Sequence, residues 1–289
     1  MSGTMADHPI PATPEAGVLV VLGATGCVGR EVVAEALRDG HDVVAVARDA
    51  EALDALCAEH PGAALVPLVA SLSTDAGGDA LGMQLEALGR PIVGVVAAIR
   101  GTPMRGRLLD QPGDFLRRRI DEDLLPHLFA ARQLLPRLSA SGQGGYVLVG
   151  GPGADFPWAG YGHHSIAEAA LRMLGRVLHD EARALGVRVH LLGVNAPLRT
   201  IKNARHACEG WPSPRAVARR ALALASRAES ASDAVVACGG PSTPSAFWSD
   251  DIDAAEAAPP IATDRALHDA RALLRGIASS PRTKDSLSS

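Results

Sequence analysis

Residues 23–29 read Gly-Ala-Thr-Gly-Cys-Val-Gly, and they join two segments of different period. The segment before them, Val18–Gly23 (VLVVLG), is an unbroken apolar run that ends in glycine. A parallel strand buried on both faces reads this way. The segment after them, Cys27–Asp39, spaces Val28, Val32, Val33, Ala36 and Leu37 at helical intervals, and Gly40 follows as a stop. A strand, a three-glycine turn and a helix in direct succession leave few architectures open. Gly23 permits a sharp exit from the strand. Gly26 leaves the backbone open to close approach, and Gly29 lets the helix lie near the sheet. The free N–H groups at the helix start then favour a phosphate-bearing ligand.

The alternation continues along the chain. Asp42–Ala47 (DVVAVA) reads as a second buried strand, Asp49–Glu59 as a helix and Ala64–Val69 as a third strand. Ala80–Gly89 is expected as a helix and Pro91–Ala98 as the fourth strand. Phe115–Leu138 is expected as one long or broken helix with its kink at Pro126. Gly145–Val149 is the fifth strand. A long helix runs from near Tyr161 to Leu185 and stops at Gly186, and Val187–Gly193 is the sixth strand. Ser213 and Pro214 fit the cap and first position of a helix over Arg215–Ser226, and Ala234–Cys238 is the seventh strand. Repeated strand–helix–strand units require right-handed crossovers and a parallel sheet covered on both sides. The expected fold is therefore α/β, a doubly wound Rossmann-type sheet of seven strands. Its ligand belongs beyond the carboxyl ends of the strands, so Gly23, Thr25, Gly26, Cys27, Val28 and Gly29 read as a dinucleotide cradle.

Three domains of behaviour are expected: a disordered tail over 1–16, the sheet domain over 17–245, and an extension over 246–289. The extension carries one amphipathic helix at about 263–277, with Ala266, Leu267, Ala270, Leu273 and Leu274 on one stripe, and a polar, disordered end. The net charge of −4 carries no basic face and argues against a nucleic-acid partner. No run is long and apolar enough to suggest a membrane span, and the first residues lack the pattern of a signal peptide. Cys27, Cys57, Cys208 and Cys238 are too scattered for a metal knuckle or redox pair, so no metal is expected and a reducing cytoplasm is.

The second strand ends at Ala47-Arg48-Asp49. An acid there would bind the adenosine ribose of NAD, whereas an arginine pairs with the 2′-phosphate of NADP. Arg48 lies about twenty residues past the glycines, where that contact is made, so NADP(H) is favoured over NAD(H), with Asp49 as a competing signal.

From Val18 to Cys238 the chain resembles the short-chain dehydrogenase/reductase family. The resemblance rests on the glycine turn, the strand ending in Arg48, Gly145–Val149 before a glycine-rich loop, Tyr161 opening a long helix, and Val187-Arg188-Val189 before a loop holding Pro197 and Thr200. It implies an oxidoreductase acting on a small-molecule carbonyl or alcohol. It also implies a homodimer or homotetramer that pairs the two long helices. In that family a tyrosine exchanges the proton, a lysine four residues on assists it, a serine holds the substrate oxygen and an asparagine supports a proton relay. Tyr161 matches the tyrosine, and the other tyrosine, Tyr146, falls in a strand.

The remaining positions depart. Ser165 stands for the lysine, Asp123 for the asparagine, and the loop at 149–153 (VGGPG) has no hydroxyl. The segment after the fourth strand, which lies against the cofactor, reads Ala97-Ala98-Ile99-Arg100. Ser71 replaces the acid that meets the adenine. A free tyrosine titrates near 10, so without an adjacent cation Tyr161 would act as an acid rather than a base. Tyr161, His164 and Ser165 are spaced to share a helical face, with His164 as a proton carrier and His163 directed elsewhere. Asp155 and Trp158 would line the substrate site. Asn195 and His206 flank the loop that covers it in the family. The losses leave two alternatives open: a non-redox enzyme (dehydratase, cyclase or isomerase), or a cofactor-sensing binding protein.

Overall fold

The strand residues divide by parity. Val18, Val20 and Leu22 of β1 (Val18–Leu22) enter one apolar layer, while Leu19 and Val21 enter another. In β2 (Asp42–Ala47), Val44 and Val46 part in the same way from Val43, Ala45 and Ala47. In β5 (Gly145–Gly150), Tyr146 and Leu148 part from Val147 and Val149. A pleated strand sends successive side chains to opposite faces, so one that is apolar throughout needs cover on both. The cover is helical. On one side α3 (Asp75–Ala87), α5 (Leu125–Ser141) and α6 (Gly162–Glu181) contribute Leu81, Leu134 and Leu171. On the other, α1 (Cys27–Arg38), α2 (Ala50–Ala58) and α7 (Pro214–Ala225) contribute Val32, Leu53 and Val217.

These elements belong to a computed structural model that describes residues 17–239, except 103, 143, 159, 206, 227, 229 and 230. With β3 (Leu65–Val69), β4 (Ile92–Ala97), β6 (Arg188–Val194) and β7 (Val235–Cys238), the sheet has seven parallel strands in the order β3-β2-β1-β4-β5-β6-β7. The chain winds outward from β1 in one direction and from β4 in the other. A crevice opens where the directions part, and ligands of such sheets bind there. Leu22 is level with Val46 on one side and with Ala97 on the other, so three strand ends meet at that point.

The structure corrects three boundaries. The helix expected from Ala80 begins at Asp75, capped by Thr74, whose Oγ1 accepts the Gly77 N–H at 3.1 Å. Gly77 and Gly78 lie in its first turns and serve close packing: a Cβ at Gly77 would stand 2.0 Å from the Ser71 carbonyl oxygen. The Phe115–Leu138 stretch breaks at Leu124 (φ −115°), between α4 (Phe115–Asp123) and α5. Pro126 sits in the first turn of α5, where its missing N–H costs nothing, and α5 tolerates Pro136 inside. Tyr161 precedes α6 rather than opening it, and a tighter turn at Ala182–Leu185 ends it before Gly186 (φ 68°). The tail 1–16, the extension 246–289 and its helix at 263–277 lie outside the described residues.

One buried charge ties α1 to α7. Glu35 is 2% exposed and meets Arg215 Nε at 2.5 Å, Arg219 Nε at 2.9 Å and Arg38. Burial alone would raise its pKa. The hydrogen bonds from Arg219, Arg38 and Arg215 outweigh that and lower it to about 2. An unfolded Glu titrates near 4.3, so the stability it lends is complete above that pH and is lost as pH falls toward 2. Urea midpoints of wild type should therefore drop between pH 4.5 and 2. Glu35→Gln should be less stable at pH 7 and flatter across the acid range.

Candidate functional site

The glycine turn is fixed by two close approaches. Gly23 holds φ +74°, and a Cβ on it would lie 2.4 Å from the Ala98 carbonyl oxygen. A Cβ on Gly29 would lie 2.1 Å from the Gly23 carbonyl oxygen. Neither neighbour is a flexible side chain, so larger residues at these positions would force the turn away from β4. The N–H groups of Gly23 and Ala24 donate to the Val46 carbonyl, and that of Gly26 to Gly23. Ala98 N–H donates to Leu22, and Ala97 is fully buried in β4. Gly26 then caps α1 without a side chain. By contrast α2, α3 and α7 begin with the accepting side chains of Asp49, Thr74 and Ser213. The first turn of a helix carries N–H groups with no partner inside it. At α1 these groups lie beside exposed Gly26 and Cys27 and half-buried Thr25 and Val28. A diphosphate fits this cradle.

Beyond β2, Arg48 is exposed and makes no side-chain hydrogen bond among the described residues. Asp49 is engaged: its Oδ1 accepts the Ala52 N–H at 3.1 Å. Ser71, past β3, is exposed with its hydroxyl 3.0 Å from that of Ser73.

The second half of the site lies past β4, β5 and β6. Tyr161 is half-buried just before α6, with its ring tilted on Trp158 at 4.9 Å. Its expected partners are arranged differently from the sequence reading. The Ser165 hydroxyl accepts the Trp158 N–H at 2.8 Å and holds the 151–158 loop in place. Asp123 Oδ1 accepts the Gly101 N–H at 2.7 Å, and the His127 Nε2–H donates to the Ile99 carbonyl at 3.1 Å. Together they pin the exit of β4. Asp155 pairs with Arg172, which also reaches Asn195 Oδ1 at 3.1 Å, so one guanidinium joins two loops beside Tyr161. His163 is not directed away. It is buried between Phe115 (5.1 Å) and Tyr161 (6.5 Å). His206 lies outside the described residues.

His164 is corrected by its surroundings. Its side chain is buried, and Nε2 stands 3.5 Å from Glu168 Oε1. Burial, Arg100 and His163 lower its pKa to about 3. The imidazole is neutral at working pH and does not exchange protons as a free histidine would.

One residue escaped the sequence reading. Glu168, one turn past His164, is 6% exposed; its Oε2 accepts the Gly151 N–H at 2.6 Å and its Oε1 meets Arg100 at 2.8 Å. Burial raises its pKa, against the pull of Arg100 and of the Gly151 N–H. The available signal was an acid four residues after a histidine on the buried face of an alanine-rich helix. Among the described residues no group of side chains could hold a metal ion, and no helix is long and apolar enough to cross a membrane.

These histidines set a pH dependence. An unfolded histidine titrates near 6.5, while His164 (about 3) and His127 (about 4) are depressed in the fold. The stability they lend is complete above pH 6.5 and is lost as pH falls toward 4, by up to roughly 1.4 kcal/mol per group per pH unit. Glu168, being raised, opposes them. His164→Gln should lose less urea stability than wild type between pH 6.5 and 5.

The family model described as short chain dehydrogenase matches residues 17–198. No curated protein matches significantly. Solved structures do. A short-chain dehydrogenase from Streptomyces avermitilis is 23% identical, with a TM-score of 0.66 over 91% of this chain and 97% of its own. An NADPH-bound short chain oxidoreductase from Pseudomonas aeruginosa PAO1, described as containing an atypical catalytic center, is 21% identical, with a TM-score of 0.67 over 77% and 96%. An NADH-dependent reductase complexed with NAD is 17% identical, with a TM-score of 0.66 over 80% and 98%. The likeness of fold is shared by all three, and the family match spans β1 through β6 with the glycine turn and Tyr161 inside it: this chain belongs to the short-chain dehydrogenase family.

Proposed function

We propose that the protein is an NADP(H)-dependent oxidoreductase acting on a small-molecule carbonyl or alcohol. The observation that carries this reading is the uncapped start of α1 at the crevice where β1 and β4 part. Gly23, Thr25, Gly26, Cys27, Val28 and Gly29 would hold the diphosphate through backbone N–H groups, with Ala97 and Ala98 beside it. Asp49 is spent as a helix cap, whereas Arg48 is exposed and open to a 2′-phosphate. This favours NADP(H), as does the NADPH held by the Pseudomonas oxidoreductase; the NAD-bound reductase marks the competing choice. Ser71 would border the adenine.

A bound nicotinamide would supply hydride, with its electron pair, to a carbonyl carbon. The chain supplies the rest. Tyr161 gives the proton to the carbonyl oxygen and recovers it from solvent. Trp158 positions the Tyr161 ring, and Ser165 and Asp123 act on the backbone around it rather than on substrate. Four free thiols are consistent with a reducing cytoplasm.

Fluorescence titration should show NADPH binding tighter than NADH, with Arg48→Ala narrowing the gap at least tenfold. Reduction of a carbonyl panel should fall on the order of 10² or more in Tyr161→Phe. Tight NADPH binding without turnover would support a sensor instead. Absence of binding would support a non-redox enzyme.

A second copy of the chain would cover α6, where Ile166, Met173 and Val177 are 40%, 55% and 43% exposed along one stripe. Sedimentation should find a dimer or tetramer, and Met173→Arg should shift it toward monomer.

A further inference from the structure

We propose that Arg100 binds the substrate oxygen, in the place the family gives to a serine. This rests on the oxidoreductase reading and names the group that would stabilise the oxyanion there. The loop after β5 has no hydroxyl at 149–153, and the structure shows what fills the space. A Cβ on Gly151 would lie 2.0 Å from Arg100 Nη2 and 2.8 Å from Glu168 Oε1. A side chain at 151 would have to displace the guanidinium from its place beside Glu168. The glycine thus leaves room for Arg100 next to a loop that lacks a hydroxyl.

Arg100 is held on three sides. The carbonyl of the residue before it accepts from His127, and the N–H of the residue after it donates to Asp123. Its own Nη2 donates to Glu168 at 2.8 Å. A donor fixed in this way needs no rearrangement when charge develops on an oxygen. The ion pair is also uneven: the carboxylate is 6% exposed and the guanidinium 40%. Here the acid is sealed behind the loop and the cation faces outward, and its other N–H groups find no acceptor among the described residues. A chain of contacts joins Glu168 to Tyr161: His164 Nε2 stands 3.5 Å from Glu168 Oε1, the His164 ring lies 5.8 Å from that of Trp158, and Trp158 lies 4.9 Å from the Tyr161 ring. The proton donor and the proposed oxygen ligand thus belong to one cluster.

During reduction the carbonyl carbon gains the hydride with its electron pair, and the nicotinamide is oxidised. The oxygen gains negative charge, Arg100 N–H groups hold it, and Tyr161 delivers the proton that completes the alcohol.

The test uses 4-nitrophenol, whose phenolate absorbs separately from the phenol and stands in for the oxyanion. It is titrated with wild type, Arg100→Lys, Arg100→Ala and Arg100→Ala/Gly151→Ser, each with and without NADP+. Circular dichroism and thermal unfolding confirm the fold, and Arg100→Lys keeps a cation beside Glu168. Wild type should ionise bound 4-nitrophenol at a lower pH than in solution. Arg100→Lys should keep part of that shift, and Arg100→Ala should abolish it while NADPH affinity stays within twofold. On any carbonyl that wild type reduces, kcat should drop on the order of 10² in Arg100→Ala and recover at least tenfold in the double variant. No shift in wild type, or an equal shift in Arg100→Ala, overturns the proposal. An Arg100-dependent shift in a protein that binds no nicotinamide nucleotide would overturn the oxidoreductase reading and leave the oxyanion site standing.

Discussion

The approach of α1 to the end of β1 governs the rest of the molecule. The helix starts so close to the strand that position 29 has no room for a Cβ beside the Gly23 carbonyl. Gly23 in turn lies against Ala98, so β1, the first turn of α1 and the exit of β4 form one rigid junction. Once it is set, the sheet can wind only outward from β1 and from β4, and the crevice between the two windings falls over the free N–H groups of α1. Architecture and ligand cradle follow from the same contact.

Much of this was legible because burial on two faces leaves a simple trace. β1, β2 and β4 are runs of Val, Leu, Ile, Ala and Gly with one acid at an edge, and they were found within a residue of their ends. The errors fell where tertiary packing overrode local preference. Gly77 and Gly78 fall in the first turns of α3, before the expected start at Ala80, where the helix is pressed against Ser71 and Phe129. Pro126 looks like a kink, yet a first-turn proline suits a helix start, and the break falls two residues earlier.

The two halves of the site were unequally legible for a similar reason. The cradle is made of backbone, and its sequence mark is the absence of side chains at fixed spacing. The reaction half is made of side chains from α6 and from the loops past β4 and β5 that meet only in space. Ser165 stands where the resemblance expects a lysine, but its hydroxyl is turned to the Trp158 N–H. Asp123 was weighed as a proton carrier, but it anchors Gly101. Arg100 and Glu168, 68 residues apart, carry no local pattern that links them. The missing Cβ at Gly151 is what brings Arg100 against the loop after β5.

The chain's only lysines are Lys202 and Lys284, so α6 itself carries none, and the cations that the described residues bring to Glu168 and Asp155 are the arginines Arg100 and Arg172. The exchange is not neutral chemically. A lysine ammonium is a mobile point charge whose proton can leave. A guanidinium keeps its charge at any working pH and presents a planar fork of donors. A site built on it favours charge accumulating on oxygen over passage of a proton along a relay. His164 agrees with this, being sealed and neutral behind Tyr161, and so does Asp123, whose oxygen is committed to backbone. In the proposed reaction, proton supply would rest on Tyr161 and solvent, and oxyanion stabilisation on Arg100. On the proposed reading this division suits reduction of a carbonyl, because oxidation of an alcohol needs a base, and among the described residues His164 is buried and neutral while Asp123 and Asp155 are already bonded.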